Sequence, residues 1–182
     1  MQIEKINSNI VGIRVFIPNI YKDERGYFFE SYNQETFKKA GLNMTFAQDN
    51  QSGSIKDVIR GLHFQFPPYE QGKLVRAIRG SVLDVVVDLR KNQPTFGKHF
   101  KIILNDQDRQ MLFIPPGFAH GFRTLEDNTV FFYKCTKVFN PQSERTIRWN
   151  DSDLAIDWGI TDPILSEKDL NAPFFKDFVS PF

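Results

Sequence analysis

The chain has 182 residues, of which 41% are hydrophobic, and its formal net charge is +1 because 23 Lys and Arg residues oppose 22 Asp and Glu residues. This balance provides no strong field to attract nucleic acid or a lipid surface, and the single cysteine, Cys135, excludes an internal disulfide framework and a zinc site built from cysteines. The N-terminal sequence is polar and no apolar run approaches the roughly 18 residues of a membrane helix, so we expect a cytoplasmic protein without nucleic-acid or membrane partners.

Short strand signals dominate the chain, which contains 19 Phe residues and 14% aromatic residues overall. Aromatic and β-branched runs separated by turn sequences predict strands at residues 10–18, 26–32, 45–50, 58–66, 73–79, 82–89, 99–104, 109–114 and 130–139. Asn33 and Gly41 bound a helix predicted at residues 34–40, and a second short helix is predicted at residues 166–170. Many short strands with little helix predict an all-β sandwich or barrel, in one domain spanning residues 1–182.

Two segments rich in Gly and Pro carry basic groups that a plain β-sandwich does not need. Arg60, His63 and Lys73 lie in and just after the sequence RGLHFQ, and His120 lies in the sequence IPPGFAHGF. A buried charge is costly without a partner, so this concentration favours a charged ligand, although each residue alone could be a solvated group at the rim of a sheet. Strict alternation puts Arg60 and His63 on opposite faces, and a bulge at Gly61 would bring them to one side.

The two segments resemble the two sequence motifs of the cupin family. A metal-binding cupin has His-x-His and a later Glu in its first motif, whereas this chain has His63, Gln65 and then Gln71. Two histidines without carboxylate or thiolate partners form a poor site for a divalent metal. We therefore expect no metal, and a ligand-binding or structural role for His120.

Further motifs follow one another along nearly the whole chain: DERG (23–26), FFE (28–30), QDNQS (48–52), RGLH (60–63), QGKLV (71–75), DVVVDLR (84–90), PTFG (94–97), GFAHGF (117–122), YK (133–134), Glu144, IDW (156–158) and LSEKD (165–169). This series resembles the dTDP-4-dehydrorhamnose 3,5-epimerases, a metal-independent branch of the cupins. The resemblance implies a double-stranded β-helix, the cupin jelly roll, with a few short peripheral helices. It also implies a homodimer without a cofactor, in which the N-terminal region reaches across to the neighbouring subunit.

The implied reaction inverts C3 and C5 of dTDP-4-dehydro-6-deoxy-D-glucose and yields dTDP-4-dehydro-L-rhamnose, in dTDP-L-rhamnose biosynthesis. By the same resemblance, His63 is the base, Asp169 pairs with and orients it, Tyr133 is the acid on the opposite face, and Lys73 stabilises charge on the C4 oxygen. From the residues alone, Tyr133 could be a core residue, Asp169 a solvated carboxylate at a helix end, and Lys73 a lysine guarding a strand edge.

The resemblance also implies a set of substrate-binding residues. Arg25 and Arg60 match positions that hold the diphosphate, for which guanidinium groups are well suited. Other matched positions contact the nucleotide or the sugar: Glu30, Gln48, Asn50, His120, Glu144 and Lys168. Phe139 stands where the family usually has a tyrosine that stacks on thymine, so stacking is retained and a hydroxyl is lost. For Arg25 and Glu30, a surface salt bridge is the alternative.

Three other functions stay open. A relative with the same acid–base groups could invert only one carbon of a related nucleotide 4-ketosugar. A metal cupin, acting as an oxygenase or a phosphosugar isomerase, would lack two ligands in this chain. A non-catalytic sugar-nucleotide sensor would not need His63, Asp169 and Tyr133 together.

Overall fold

A computed structural model describes residues 2–4 and 10–182. In this part of the chain the strands are β1 (Gln2–Glu4), β2 (Arg14–Ile17), β3 (Tyr21–Asp23), β4 (Gly26–Phe28), β5 (Gln48–Ser54), β6 (Ile59–Gln65), β7 (Lys73–Arg79), β8 (Ser81–Asp88), β9 (His99–Asn105), β10 (Met111–Ile114), β11 (Phe118–Thr124), β12 (Thr129–Cys135) and β13 (Glu144–Thr146). The helices are α1 (Gln34–Lys39), α2 (Glu167–Leu170) and a 3₁₀ turn at Phe175–Asp177.

The strands form two large antiparallel sheets and one hairpin. The six-stranded sheet has the order β1-β2-β10-β7-β12-β5, the five-stranded sheet has the order β13-β6-β11-β8-β9, and β3 pairs with β4. Neighbours in each sheet come from distant parts of the sequence, which is the connectivity of a jelly roll rather than of a simple meander. The all-β prediction, with a double-stranded β-helix and short peripheral helices, is confirmed.

The main core lies between the inner faces of the two large sheets. Val75 and Phe131 from the six-stranded sheet pack in one cluster with Val86 and Phe122 from the five-stranded sheet. Because side chains alternate along a strand, Val85 on β8 points to the opposite face and joins a second cluster under the C-terminal segments. Burial on both faces explains the nearly continuous apolar sequence of β8.

Several predicted boundaries are confirmed and others are wrong. Strand β7 has the predicted bounds, and the Asn33 side chain caps α1 by accepting hydrogen bonds from two backbone N–H groups. The strand predicted at 10–18 begins only at Arg14 because the chain turns at Gly12, where φ is +108°. The strand predicted at 26–32 ends at Phe28, and the one at 130–139 ends at Cys135 with the β5 and β7 ladders.

Polar strands were the hardest to predict. Strand β5 runs over Gln48–Ser54 rather than residues 45–50, and β13 was not predicted. Both sequences lack the apolar alternation that marks a strand, and they become strands because they pair with the β12 and β6 backbones. Strands β1 and β3 and the 3₁₀ turn were also missed, since each spans only three residues. Strand β11 was missed too, although it spans seven residues and six of them are buried.

Candidate active site

A cavity of about 250 Å³ opens between the two large sheets, lined by Gln48, Asn50, His63, Phe64, Gln65, Gln71, Lys73, Tyr133, Phe139 and Glu144. An adjoining cavity of about 160 Å³ is lined by Ser52, Arg60, His63, Lys73, His120, Phe122 and Tyr133. His63, Lys73 and Tyr133 line both cavities. The structure therefore brings together nine of the sequence-predicted site residues at the lining of one continuous region.

The two sheets contribute opposite walls. On the six-stranded sheet, Tyr133 of β12 pairs with Asn50 of β5, and Lys73 of β7 pairs with Cys135 of β12. On the five-stranded sheet, His63 of β6 pairs with His120 of β11. Because the inner faces of the sheets face each other, His63 and Tyr133 approach the cavity from different sides.

An irregularity at Gly61 brings Arg60 and His63 to the same wall. His63 is opposite His120 while Arg60 is opposite Phe122, so three steps along β6 match two steps along β11. Gly61 has a φ of +136°, and a Cβ built on it would lie 2.5 Å from the Cα of Gly121. Only glycine fits this position, and the shifted register is the kind of irregularity at Gly61 that would bring Arg60 and His63 to one side.

His63 forms a dyad with Asp169. The His63 Nε2 lies 2.6 Å from the Asp169 Oδ1, and the Asp169 side chain is only 3% exposed. Helix α2 places this carboxylate, because Ser166 caps the helix by accepting a hydrogen bond from the backbone N–H of Asp169. The predicted pairing of His63 with Asp169 is thus present, and Asp169 is not a solvated carboxylate.

The dyad has a defined electrostatic state. Burial acts to raise the pKa of Asp169, but the hydrogen bond and charge of His63, with donors from Ser166 and Gly61, hold that pKa below its usual value. Asp169 is therefore an anion at neutral pH and accepts a hydrogen bond from the His63 Nε2–H. The His63 Nδ1 has no hydrogen-bonding partner among residues 2–4 and 10–182, and it is the nitrogen able to accept a proton.

Lys73 and Tyr133 lie side by side on the other wall. The Lys73 Nζ is 5.9 Å from the centre of the Tyr133 ring, and neither polar group has a hydrogen bond within the described ranges. Burial lowers the pKa of Lys73, while the carboxylates of Asp84 and Glu144 act in the opposite direction. Burial raises the pKa of Tyr133, so its hydroxyl keeps its proton at neutral pH.

His120 belongs to a second, more deeply buried pair. Its Nε2 lies 2.9 Å from the Asp84 Oδ2, and the Asp84 Oδ1 is buried without a hydrogen-bonding partner in the described part of the chain. Burial lowers the pKa of His120, although Asp84 acts in the opposite direction. The lowered pKa favours the neutral imidazole. A neutral His120 held by Asp84 can take part in a hydrogen bond at the cavity wall without adding a charge.

The remaining predicted binding residues add polar and aromatic groups to the two cavities. Lys168 on α2 donates to the Glu144 Oε1 at 2.8 Å, which joins two predicted substrate-binding residues. The Gln48 side chain donates to the Asn50 Oδ1 at 2.9 Å, and Arg60 donates to the hydroxyl of Ser54. Phe139, at 49% exposure, offers a ring face at the rim.

Four predicted site residues do not line the two cavities: Asp169 and Lys168 contact the lining residues His63 and Glu144, whereas Arg25 and Glu30 lie elsewhere. The Arg25 side chain is 85% exposed on the β3–β4 hairpin and forms an ion pair with Asp23. Glu30 accepts hydrogen bonds from Asn33 and Thr36 near the start of α1. The salt bridge considered for Arg25 and Glu30 is therefore not between these two residues.

Sequence reasoning missed some lining residues. Gln65 and Gln71 had been noted only as replacements for cupin metal ligands, yet both line the cavity. Asp84, which pairs with His120 but lines neither cavity, was not singled out either, although it is a carboxylate in an apolar run and lies in the DVVVDLR motif. The described ranges contain no group of three or more His, Cys, Asp or Glu side chains arranged to hold a metal ion. They also contain no helix with the length and hydropathy to cross a membrane.

Comparisons with known proteins agree with the motif resemblance. The family model described as dTDP-4-dehydrorhamnose 3,5-epimerase matches residues 7–177. A protein of that name from Shigella flexneri is 46% identical over 173 residues, covering 94% of this chain and 96% of that protein. The crystal structure of a dTDP-6-deoxy-D-glucose-3,5-epimerase from Legionella pneumophila, in complex with dTDP-4-keto-L-rhamnose, matches with a TM-score of 0.92 and 41% identity, covering 98% of this chain and 95% of that one. A 3'-monoepimerase from Streptomyces bikiniensis, in complex with dTDP-quinovose, matches with a TM-score of 0.86 and 32% identity, covering 92% and 85%.

Proposed function

Because the chain belongs to the dTDP-4-dehydrorhamnose 3,5-epimerase family, we propose that it inverts C3 and C5 of dTDP-4-dehydro-6-deoxy-D-glucose to form dTDP-4-dehydro-L-rhamnose, in dTDP-L-rhamnose biosynthesis. The observation that carries this proposal is the His63–Asp169 dyad on one wall of the cavity with Tyr133 on the other. An epimerase needs this arrangement, because one group must remove a proton from one face of the ring and another must return a proton to the opposite face.

The chemistry follows from the substrate's C4 ketone, which acidifies the protons on C3 and C5. The His63 Nδ1 takes the proton, the C–H electrons form an enolate, and the negative charge moves to the C4 oxygen. Asp169 stabilises the imidazolium, and the ammonium of Lys73 stabilises the enolate oxygen. Tyr133 gives its proton to the opposite face and the ketone re-forms. Before the next inversion, the His63 imidazolium releases its proton to solvent and the Tyr133 phenolate takes one from solvent. Each role needs no group beyond this chain's side chains.

Different residues bind the diphosphate, the sugar and the base of the substrate. Arg60 holds the diphosphate, since a guanidinium forms paired hydrogen bonds with phosphate oxygens. Gln48, Asn50 and His120 contact the nucleotide or sugar through neutral hydrogen bonds, and Glu144, paired with Lys168, contributes beside Gln48 and Asn50. Phe139 stacks on the thymine ring at the rim. A phenyl face suffices for stacking, because the attraction comes from the ring and not from a hydroxyl.

Double inversion is favoured over inversion at one carbon. The chain is 46% identical to the Shigella flexneri 3,5-epimerase and 32% identical to the Streptomyces bikiniensis monoepimerase. Both reactions use the same kinds of acid and base, so the products decide between them. A protein that bound the sugar nucleotide without turning it over would contradict both.

The proposal includes a cytoplasmic homodimer. The β3–β4 hairpin pairs with no other strand of the described ranges and exposes Tyr21, Tyr27 and Phe28. If a second copy covered this hairpin, the rings would be buried, and Arg25 and Glu30 of one subunit would lie at the cavity of the other. Mixing two inactive variants, Arg25→Ala and His63→Asn, tests this. About half of the re-assorted dimers would be mixed, and each mixed dimer would have one intact site of two, so the mixture should recover about a quarter of the wild-type activity. A monomer by sedimentation, or no recovery after confirmed subunit exchange, contradicts it.

The activity itself is tested by incubating the protein with dTDP-4-dehydro-6-deoxy-D-glucose and identifying the sugar products by NMR after hydride reduction. The wild-type protein should yield the L-rhamno product. His63→Asn should be slower by about 10²- to 10⁴-fold, the usual value of a general base. His99→Asn is the matched control, because His99 lies on β9 and does not line the cavity. Absent conversion by the wild type, or near-normal turnover by His63→Asn, contradicts the assignment.

A further inference from the structure

Residues 136–140, which follow β12 and carry Phe139, lie outside any strand, yet side chains from three other places hold their backbone. The Gln48 Oε1 accepts from the Phe139 N–H at 2.7 Å. The Gln65 Oε1 accepts from the Asn140 N–H at 2.8 Å, and its Nε2 donates to the Val138 carbonyl at 3.4 Å. The Gln71 Nε2 donates to the Lys137 carbonyl at 2.7 Å. These bonds take the place of the strand ladder that this segment lacks.

The chemistry of the partners requires amides at these positions. A backbone N–H can only donate and a carbonyl can only accept, so Gln65 must present its oxygen to Asn140 and its nitrogen to Val138. The Gln65 Nε2 also donates to the Tyr69 carbonyl at 2.6 Å. A carboxylate could not make the donated bonds, and an apolar side chain could make none.

The same reasoning fixes the orientation of a hydrogen-bond chain that runs into the cavity floor. Because the Phe139 N–H donates to the Gln48 Oε1, the Gln48 Nε2 is the group that donates to the Asn50 Oδ1 at 2.9 Å. The Asn50 Nδ2 then points to the Cys135 Sγ at 3.6 Å. The position of Phe139 is therefore linked to the interior of the site and not only to the surface.

We propose that Gln48, Gln65 and Gln71 form a glutamine clamp that positions Phe139 and thereby sets the affinity for the nucleobase of the substrate. This inference rests on the proposed function, which supplies a nucleoside diphosphate as the ligand. Phe139 has a half-exposed ring that makes no ring–ring contact in the described part of the chain, so the hydrogen bonds to its backbone position the ring. Gln65 and Gln71 act through Phe139 and are positioning residues, distinct from the groups that perform the chemistry.

The clamp also includes the turn before β7. Lys137 Nζ donates to the Pro68 carbonyl at 2.6 Å and to the Glu70 Oε1 at 2.8 Å. The Gly72 N–H donates to the Thr136 hydroxyl at 2.8 Å. The turn and residues 136–140 are thus joined at several points, so the loss of one glutamine bond loosens the segment without releasing it.

The test uses Gln71→Met and Gln65→Glu, with Gln51→Met as the matched control. Gln51 lies on β5 with an exposed side chain and makes no side-chain hydrogen bond within the described part of the chain. Calorimetry measures the dissociation constants of dTDP and of inorganic pyrophosphate, which has no base. A lost hydrogen bond corresponds to a change of about three- to tenfold in affinity. We expect dTDP to bind the clamp variants more weakly by that factor, with pyrophosphate affinity and kcat unchanged within about twofold and the control unaffected in all three quantities.

A double-variant comparison separates positioning from a general structural role. In a Phe139→Ala background there is no ring to position, so Gln71→Met should produce no further loss of dTDP affinity. Equal losses for dTDP and pyrophosphate, a fall in kcat at constant affinity, or unchanged dTDP affinity would each overturn the clamp. If Gln65→Glu does not fold, Gln71→Met alone decides between these outcomes. A wild-type protein that does not bind dTDP refutes the proposed function and the clamp together, whereas normal wild-type binding with unaffected variants refutes the clamp only.

Discussion

Asp169→Asn tests how the dyad works, because the substitution keeps the size of the side chain and removes its charge. In the structure, Asp169 accepts with both oxygens: Oδ1 faces the His63 Nε2 at 2.6 Å and Oδ2 faces the Gly61 N–H at 3.5 Å. An asparagine would direct its NH₂ group at one of these two positions. If that group faces His63, it donates to Nε2 and shifts the imidazole proton to Nδ1, the nitrogen that must accept the substrate proton. If it faces Gly61, two donors are opposed and the imidazolium loses its anionic partner.

The expected size of the effect follows from the bond that is lost. A hydrogen bond to a charged group contributes about 1.5–3 kcal/mol. Since about 1.36 kcal/mol corresponds to a factor of ten in rate, kcat should fall by roughly 10- to 150-fold. This loss is smaller than the one expected for His63→Asn, because Asp169 acts only through His63. KM should change little, since Asp169 is buried behind His63 and does not line the cavity.

The assay is steady-state turnover of the single variants, His63→Asn and Asp169→Asn, and of the double variant. Residues that act as one unit are not additive, so Asp169→Asn should cost less than about threefold in the His63→Asn background. Circular dichroism on each variant verifies that the fold is retained. A loss below about threefold for Asp169→Asn alone, or an equal loss in both backgrounds, would show that Asp169 does not act through His63.

Three further substitutions test other parts of the site and the fold. Lys73→Ala should lower kcat by about 10²- to 10³-fold in steady-state assays, as for removal of a group that stabilises an oxyanion, and an effect confined to KM would assign Lys73 to binding instead. Tyr133→Phe should slow product formation while substrate C–H exchange with solvent, followed by NMR, continues; weaker binding at unchanged kcat would argue against the acid role. Asp88→Asn tests stability. Burial opposes ionisation of Asp88, but Arg90 and Thr95 hold its pKa below the usual 3.8. The ionised carboxylate therefore adds to the free energy of unfolding above pH 3.8, and this contribution is lost as the pH falls further. Urea unfolding should show a loss of about 3–5 kcal/mol at pH 7 and a weaker acid dependence than in the wild type, and identical acid dependence would disprove this link.

Local signals explain which parts of the fold could be predicted. Helix α1 has the capping residue Asn33 at one end and Gly41, with a φ of +85°, at the other. Residues next to the helix therefore determine where it begins and ends. Strand β7 likewise carries its own apolar pattern. Strand β5, with the sequence QDNQSGS, has no such pattern and is a strand because β12 lies beside it. The positions of polar strands depend on partners far away in the chain.

The site shows the same division. Strict alternation along β6 puts Arg60 and His63 on opposite faces, and Gly61 indicated only where a bulge would bring them to one wall, as the shifted register of β6 and β11 does. The partner of His63 lies 106 residues away on α2, and only the family resemblance indicated it. Nothing local shows that Gln65 and Gln71 hold residues 136–140, because the three segments meet only in the folded sheets. Asp84 was missed because its pairing with His120 joins neighbouring strands across 36 residues.

The proposed double inversion requires this chain to remove and return protons at two carbons next to the C4 ketone. Incubation with dTDP-4-dehydro-6-deoxy-D-glucose in D₂O measures this exchange, with the deuterium positions determined by NMR and mass spectrometry. We expect deuterium at both C3 and C5, and loss of this incorporation in His63→Asn. Deuterium at a single carbon would contradict the double inversion, and no deuterium with tight binding retained would contradict the enzyme assignment.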